Sequence, residues 1–577
     1  MNRNRKSITE EIIRLLYRHP YLCAFIICIS LNPLFFGATE NIPGNVPWIC
    51  ALIVFSAVSK IFVNKYRAKE INRICFTVLE ICSLAAILGF LHLYSCSEYK
   101  GIWFFTGGCL AVYYLYWRLY TEKYDFQMKS LLIMGIGFML KLLYVLETSV
   151  YVRQHDVGSF DGDIGHAGYI GYLLQNFHLP DFDVRERWQF CHPPLHHIIS
   201  AAWVYINEKC FMVDYNQARE SIQTLTLFYS MCIVISAYKI FRYFKLEGKS
   251  LYLPLAVVAF HPSFIIFSAS INNDVLATAF MTGTIVSVLN WYRNPDMKNI
   301  IKTALCLGLG MMTKLTAALA APPVAAVFII TFIKNMKKDW KKFLIQFAVF
   351  GIICVPLGLW FEIRNFIKWD VPVLYVQEMS KGELQYIGDI NFFSRISDFS
   401  LFQFRNVFEQ WAYTDDKTGE IFGYNEYNPL IALLKTSVFG EFINSGNSGG
   451  NEFLIKMSEI LFYSTALIAA GSFILMIIVL SKKGIIRVTE KILFASFYLI
   501  MMINYYKLQY DYPFVCTMDF RYITPSVITG ALFYGIAEKH YGSGSHPAVR
   551  TAETAGKILT VNFVICTMVV YIGVCSA

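Results

Sequence analysis

Six of the chain's eleven histidines, His155, His166, His178, His192, His196 and His197, fall in one stretch with Asp156, Asp161, Asp163, Asp181, Asp183 and Glu186. Titratable groups gathered like this mark functional sites more often than structural ones. A carboxylate there can take a proton from a hydroxyl, and imidazoles can contact an anion. Alternatively, His155, Asp156, Asp161, Asp163 and His166 could ligate a divalent metal such as zinc or manganese, although their spacing is not diagnostic. Three other polar positions stand out against apolar surroundings: Asp274 in Ile271-Asn272-Asn273-Asp274, Lys314 in Met312-Thr313-Lys314-Leu315, and Arg521 in Met518-Asp519-Phe520-Arg521-Tyr522. A charge such as that of Lys314 costs roughly 2.5–3.5 kcal/mol inside a membrane and therefore faces a cavity or a partner. Arg521 can grip a phosphate bidentately, as lysine cannot.

The elements that carry these residues follow from local pattern. Glycines between 158 and 165 break any helix, whereas 166–174 has helical spacing with Tyr169, Ile170 and Leu173 on an apolar side. His192-Pro193-Pro194-Leu195-His196-His197 then opens a second helix over 198–206, because proline suits a first helical turn. Both helices should lie along a membrane surface, with His192, His196 and His197 capping the helix or contacting phosphate. Asp274 starts a helix, where it either serves the N-terminus or orients a substrate.

The chain has 577 residues, of which 56% are hydrophobic and only 16% charged. Soluble domains carry about 25% charged residues, so a soluble enzyme is excluded. Apolar runs of bilayer length recur throughout, and about fifteen transmembrane helices are predicted, including 20–37, 46–63, 74–95, 318–334 and 343–361. The first run, behind a basic stretch, reads as an uncleaved span. The net charge of +9 comes from Lys and Arg in short runs between spans, which points to cytoplasmic loops rather than nucleic acid. The N-terminus is then cytoplasmic, and the C-terminus and two long loops, 151–221 and 362–452, are extracytoplasmic. The domains expected are a four-span extension at 1–128, a membrane module at 129–361 containing the first loop, a second loop or small external domain at 362–452, and C-terminal helices at 453–577. In the second loop, 429–437 is helix-like, and its aromatic residues suit a small core, sugar stacking or lipid headgroups. The cysteines read as small hydrophobes, although Cys191 and Cys210 share one loop and could pair.

An acidic residue just after a span, a G-H-x-x-Y-I helix, an L-P and then H-P-P-L together resemble the first external loop of GT-C-fold glycosyltransferases. The resemblance is nearest to glycosyltransferase family 39-like proteins, relatives of the protein O-mannosyltransferases and the lipid A aminoarabinose transferase. It spans 129–361 and, more loosely, 453–537. It implies an all-α, GT-C-type bundle in the cytoplasmic membrane, a polyprenyl-phosphate sugar as donor and membrane lipid as partner, with an acidic residue of the first loop as catalytic base. Asp156 matches that position, while Asp161 and Asp163 stay open as alternatives because their D-G-D insertion departs from the pattern. His166 accompanies them. The resemblance further implies that Lys314, in a G-L-x-x-x-T-K pattern, and Arg521, in an R-Y-x-x-P element, hold the donor phosphate on one site, with His155, Asp274, His192 and His196 binding substrate. Arg153, Arg185 and Arg187 are the alternative cations. A lipid-linked saccharide flippase or secondary transporter is the competing class, but such a protein should carry its charges at the bilayer midplane and show internal repeats.

Overall fold

Inside a bilayer every backbone N–H and C=O must be paired within the segment, so apolar runs of this length must be helices. The computed structural model describes residues 13, 15–35, 89, 100–120, 124–382, 385–400, 404–409, 413–414, 421–423, 426–448, 451–542 and 546–576. In chain order its helices begin with α1 (Pro20–Phe35), α2 (Lys100–Leu119), α3 (Asp125–Leu146), α4 (Gly165–Asn176), α5 (Leu195–Cys210) and α6 (Tyr215–Glu220). Next come α7 (Ile222–Tyr243), α8 (Lys249–Ala259), α9 (Pro262–Ala269), α10 (Asp274–Arg293), α11 (Met297–Thr313) and α12 (Ala321–Trp369). The last six are α13 (Phe392–Ser397), α14 (Pro429–Phe439), α15 (Glu452–Ser481), α16 (Val488–Asp511), α17 (Ser526–Tyr541) and α18 (Pro547–Ser576). The strands among the described residues are one short antiparallel pair, β1 (Tyr413–Thr414) and β2 (Ile421–Gly423). The fold is all-α. Six helical segments are long and apolar enough to cross a membrane among the described residues, or seven if the bent pair α8 and α9 is one span. The predicted stretch 46–63, and all but one residue of 74–95, lie outside the described residues.

Two irregular places have local causes. In α12 the backbone leaves helical geometry at Asp339. Phe328 then lies 5.3 Å from Phe347 and Phe332 lies 6.4 Å from Phe343, so the helix folds back on itself as the two spans expected at 318–334 and 343–361. Between α8 and α9 the axis bends by 45°. There the buried Lys141 donates from Nζ to the Ala259 carbonyl at 2.6 Å, meeting a backbone acceptor that the broken helix leaves open.

One apolar core runs through the helix bundle, and a second, with Phe160, Tyr169, Ile170, Phe190 and Phe361, lies under the first loop. The basic connections gather at one end of the bundle: Lys334 reaches Thr489, Arg487 stacks on Tyr292, and Lys539 bonds the Phe244 carbonyl. Helix α4 packs against α5, so the two helices expected along a membrane surface face each other. Cys191 and Cys210 are free thiols, so the pairing that the shared loop allowed is not made.

Candidate active site

The first loop is held to α4 by its backbone. The His166 N–H donates to the Asp156 carbonyl at 2.9 Å and the Ala167 N–H to the Val157 carbonyl at 2.7 Å. The N-terminal donors of α4 thus cap onto the loop that precedes it. Gly165 has φ +80, and a Cβ there would stand 2.5 Å from the Gly158 backbone nitrogen, which explains the glycines at both ends of this loop. Asp156 itself is left-handed, with φ +52. That backbone turn sends His155 and Asp156 to different partners.

Asp156 faces Arg521. Its Oδ2 lies 3.6 Å from Arg521 Nη2, and the Asp156 side chain is 31% exposed against 8% for Arg521. The Trp188 indole N–H donates to Asp156 Oδ1 at 3.3 Å. Arg521 is oriented from behind, because its backbone N–H donates to Asp519 Oδ1 at 2.6 Å and its Nη2 donates to the Tyr522 hydroxyl at 3.2 Å. Its Nε is buried with no acceptor. The Tyr522 ring is shared: Arg521 Cζ lies 5.1 Å and Lys314 Nζ 5.6 Å from its centre. Arg521 and Lys314, distant in sequence, therefore converge beside the first loop. Lys314 ends α11, and its ammonium pairs with Asp274 Oδ1 at 2.5 Å. Asn273, not Asp274, occupies the cap position of α10, and the Asp274 carboxylate serves Lys314 instead.

His155 points the other way. Its Nδ1 lies 3.0 Å from Glu441 Oε2 and its Nε2 3.6 Å from Asp519 Oδ2, with the ring against Phe442. Burial and Arg521 oppose a charge on this imidazole, yet Glu441 and Asp519 outweigh them and raise its pKa. Burial, with Glu441 beside it, holds the Asp519 carboxyl above the usual range against His155 and Arg521. Among the described residues, His155, Glu441 and Asp519 are the group whose ligand atoms lie close enough for one metal ion. The set expected from sequence, His155, Asp156, Asp161, Asp163 and His166, does not converge.

The other expected residues are drawn elsewhere by packing. Asp161 is exposed and accepts from the Tyr215 hydroxyl, and Asp163 is exposed. Where α4 meets α5 the histidines stack. His166 Nδ1 lies 3.0 Å from His197 Nε2, with His192 on one side and Tyr169 on the other. His196 is buried and bonds the Ile271 carbonyl at 2.7 Å, so it is not placed at a surface to meet phosphate. Burial pushes His192 and His196 down to about 4, helped at His192 by Lys314 and opposed at His196 by the Ile271 carbonyl and Asp274, and burial with the neighbouring histidines pushes His166 and His197 lower still. These rings are neutral at pH 7. His192 feels Lys314, Asp274, Asp156 and Arg521, while His166 feels Lys314 and His196 feels Asp274. Arg153 bonds Thr148 and the Glu147 carbonyl, Arg185 pairs with Asp183, and Arg187 stacks on Phe182.

Sequence reasoning missed Glu441 and Glu409 and gave Trp188 no role. Glu441 did carry a signal, as a lone acid in the apolar run Val438-Phe439-Gly440-Glu441-Phe442.

Residues 196–360 match the family described as dolichyl-phosphate-mannose-protein mannosyltransferase. No curated protein matches the chain. Among solved structures, the crystal structure of ArnT from Cupriavidus metallidurans in the apo state is similar at 10% identity, covering 76% of this chain and 74% of that one with a TM-score of 0.44; a likeness at that score bears no weight. Over residues 196–360 the chain is thus similar to a family of membrane glycosyltransferases.

Proposed function

We propose that this protein transfers a hexose or pentose from a polyprenyl-phosphate lipid to an acceptor hydroxyl, with inversion, and that Asp156 is the general base. The observation that carries this reading is the half-exposed Asp156 carboxylate opposite the buried Arg521 guanidinium, whose Nε has no acceptor. A carboxylate open to substrate beside a cation short of an anion is what this reaction needs. The acceptor oxygen bonds to the anomeric carbon as its proton passes to Asp156. The bond from that carbon to the phosphate oxygen breaks, and the phosphate leaves with the electron pair. With a second pKa near ~6 the phosphate needs no general acid. Arg521 stabilises its charge in a site partly closed to water, where such contacts count for more than in bulk solvent. Lys314, already paired with Asp274, contributes less free charge than Arg521.

Displacement from the face opposite the phosphate inverts the anomeric centre. The basic connections at the end of the bundle away from the first loop support a cytoplasmic N-terminus and a reaction on the outer side of the cytoplasmic membrane. The family match supports a lipid-linked donor, because the matched family is named for dolichyl-phosphate-mannose.

Radiolabelled polyprenyl-phosphate sugars offered to the purified chain test the proposal. Asp156→Asn should lose about 10²–10⁴-fold in transfer while still binding donor, the range for a general base. Near-normal turnover in Asp156→Asn, with loss in Asp161→Asn or Asp163→Asn instead, would move the base to the D-G-D turn.

A further inference from the structure

We infer that His155, Glu441 and Asp519 hold a divalent metal ion of the zinc or manganese type, set behind Asp156 and Arg521. The inference goes beyond the transferase reading and stands on geometry that needs no sugar donor.

Three separate parts of the chain supply the ligands: the first loop, the turn after α14, and the segment between α16 and α17. One ligand atom from each lies within 4.8 Å of the other two. Their side chains are only 4–6% exposed. Glu441 Oε1 and Asp519 Oδ2 are buried with no hydrogen-bond partner, and the 3.6 Å from Asp519 Oδ2 to His155 Nε2 is too long for a hydrogen bond. Buried carboxylate oxygens left without donors are costly and call for a partner.

The charges nearby point the same way. Glu409 adds a further buried carboxylate, with neither oxygen hydrogen-bonded, within reach of the charges of Glu441 and Asp519. Asp156, Glu441 and Asp519 face Arg521, whereas Lys314 is committed to Asp274 and Lys435 to Glu426. Among the described residues Arg521 and the His155 ring are the cations left to these carboxylates, and a divalent ion bound at that ring adds more positive charge than a proton there does.

One imidazole with two carboxylates is a donor set for zinc or manganese, while magnesium and calcium prefer oxygen alone. Metal bonds of about 2.0–2.1 Å in a tetrahedral site put neighbouring ligand atoms roughly 3.3 Å apart. Glu441 meets Nδ1 and Asp519 meets Nε2 of the His155 ring, so an ion takes one ring nitrogen, and the 4.8 Å span of the three single ligand atoms closes toward that value as it binds. Because His155 adjoins Asp156 and Asp519 lies two residues from Arg521, the ion would tie together the backbones that carry both, acting through position rather than on the substrate.

To test this, the full chain is purified in detergent, stripped with EDTA, and dialysed in separate arms against Zn²⁺, Mn²⁺ or Mg²⁺. Bound metal is counted by plasma mass spectrometry alongside the thermal midpoint. About one equivalent of zinc or manganese, a raised midpoint and no retained magnesium are expected. Glu441→Gln and Asp519→Asn should each lower bound metal at least about tenfold. After stripping, both should melt no lower than stripped wild type, since each removes one charge from a negative cluster. Asp389→Asn, at an exposed position paired with Lys381, should bind as wild type does.

Wild type that takes up no metal and shows no shift in midpoint overturns the inference, as does an equivalent of metal that both variants retain. If wild type takes up no metal and the stripped variants melt well below it, the three residues are an ion-pair triad around His155. Either failure leaves the transferase reading standing.

Discussion

Gly171 lies on the face of α4 over which the loop from Asp156 folds. A methyl group there would overlap the Phe160 carbonyl oxygen and stand 2.8 Å from its carbon, inside the 3.0 Å that real Cβ contacts respect. The loop backbone would have to move by about 1 Å to make room. It has little freedom to do so, because the Phe160 ring is 1% exposed and packs against Tyr151 and Arg219. Gly168, one turn earlier, is the control: its nearest contact, the Gly162 carbonyl, would be at 3.2 Å, which a few tenths of an ångström relieve.

Gly171→Ala should cost about 1–3 kcal/mol of stability, the usual range for overpacking. It should also slow transfer by up to about 10²-fold, since a misplacement near 1 Å can have that effect on chemistry. Gly168→Ala should stay near wild type on both counts, its small clash offset by better helix propensity, worth about 1 kcal/mol. Thermal melting and initial rates on the same preparations decide the matter. If the two variants behave alike in both assays, the loop is not seated on α4 as described and the placement of Asp156 goes with it.

Arg521→Lys keeps the charge but loses the planar fork, so kcat/KM for donor should fall by an amount equivalent to about 1–3 kcal/mol; an unchanged donor dependence would exclude Arg521 as the phosphate ligand. Lys435 and Glu426 are paired with both side chains 0% exposed. Lys435→Met alone should therefore cost about 3–5 kcal/mol by taking the ammonium from the buried Glu426 carboxylate, and Lys435→Met with Glu426→Gln should recover most of it, as read by chemical denaturation. His196 titrates near 4 when folded because burial disfavours its charge, whereas the unfolded chain takes the proton near pH 6.5. Its contribution is thus fully present above pH 6.5 and is lost as pH falls toward 4, by roughly 3 kcal/mol. Melting curves over that window should fall less steeply for His196→Asn than for wild type, and parallel curves would refute the assignment.

The GT-C resemblance and the polar residues that meet at Asp156 were both readable from local pattern. Lys314 and Arg521 stood out because a charge in apolar sequence must have a cavity or partner, and both do lie beside Tyr522. What could not be read was which neighbour each charge would take. Lys314 is paired by Asp274, a residue forty positions away, and helix packing alone brings them together. The histidines misled for a related reason: their spacing suggested a surface, but α4 and α5 pack face to face and bury them as a neutral stack.

Bilayer-length apolar runs, proline and glycine positions and the placement of Lys and Arg are properties of contiguous residues, so the sequence alone determined the all-α membrane class and the helices of the first loop. Which loop aspartate faces Arg521 depends instead on one left-handed residue and on the folding of the loop over α4, which turns Asp156 toward Arg521 and leaves Asp161 and Asp163 outside. Only the tertiary structure could bring Glu441 and Asp519 to His155, because the contact joins loops hundreds of residues apart and depends on how the helices between them pack.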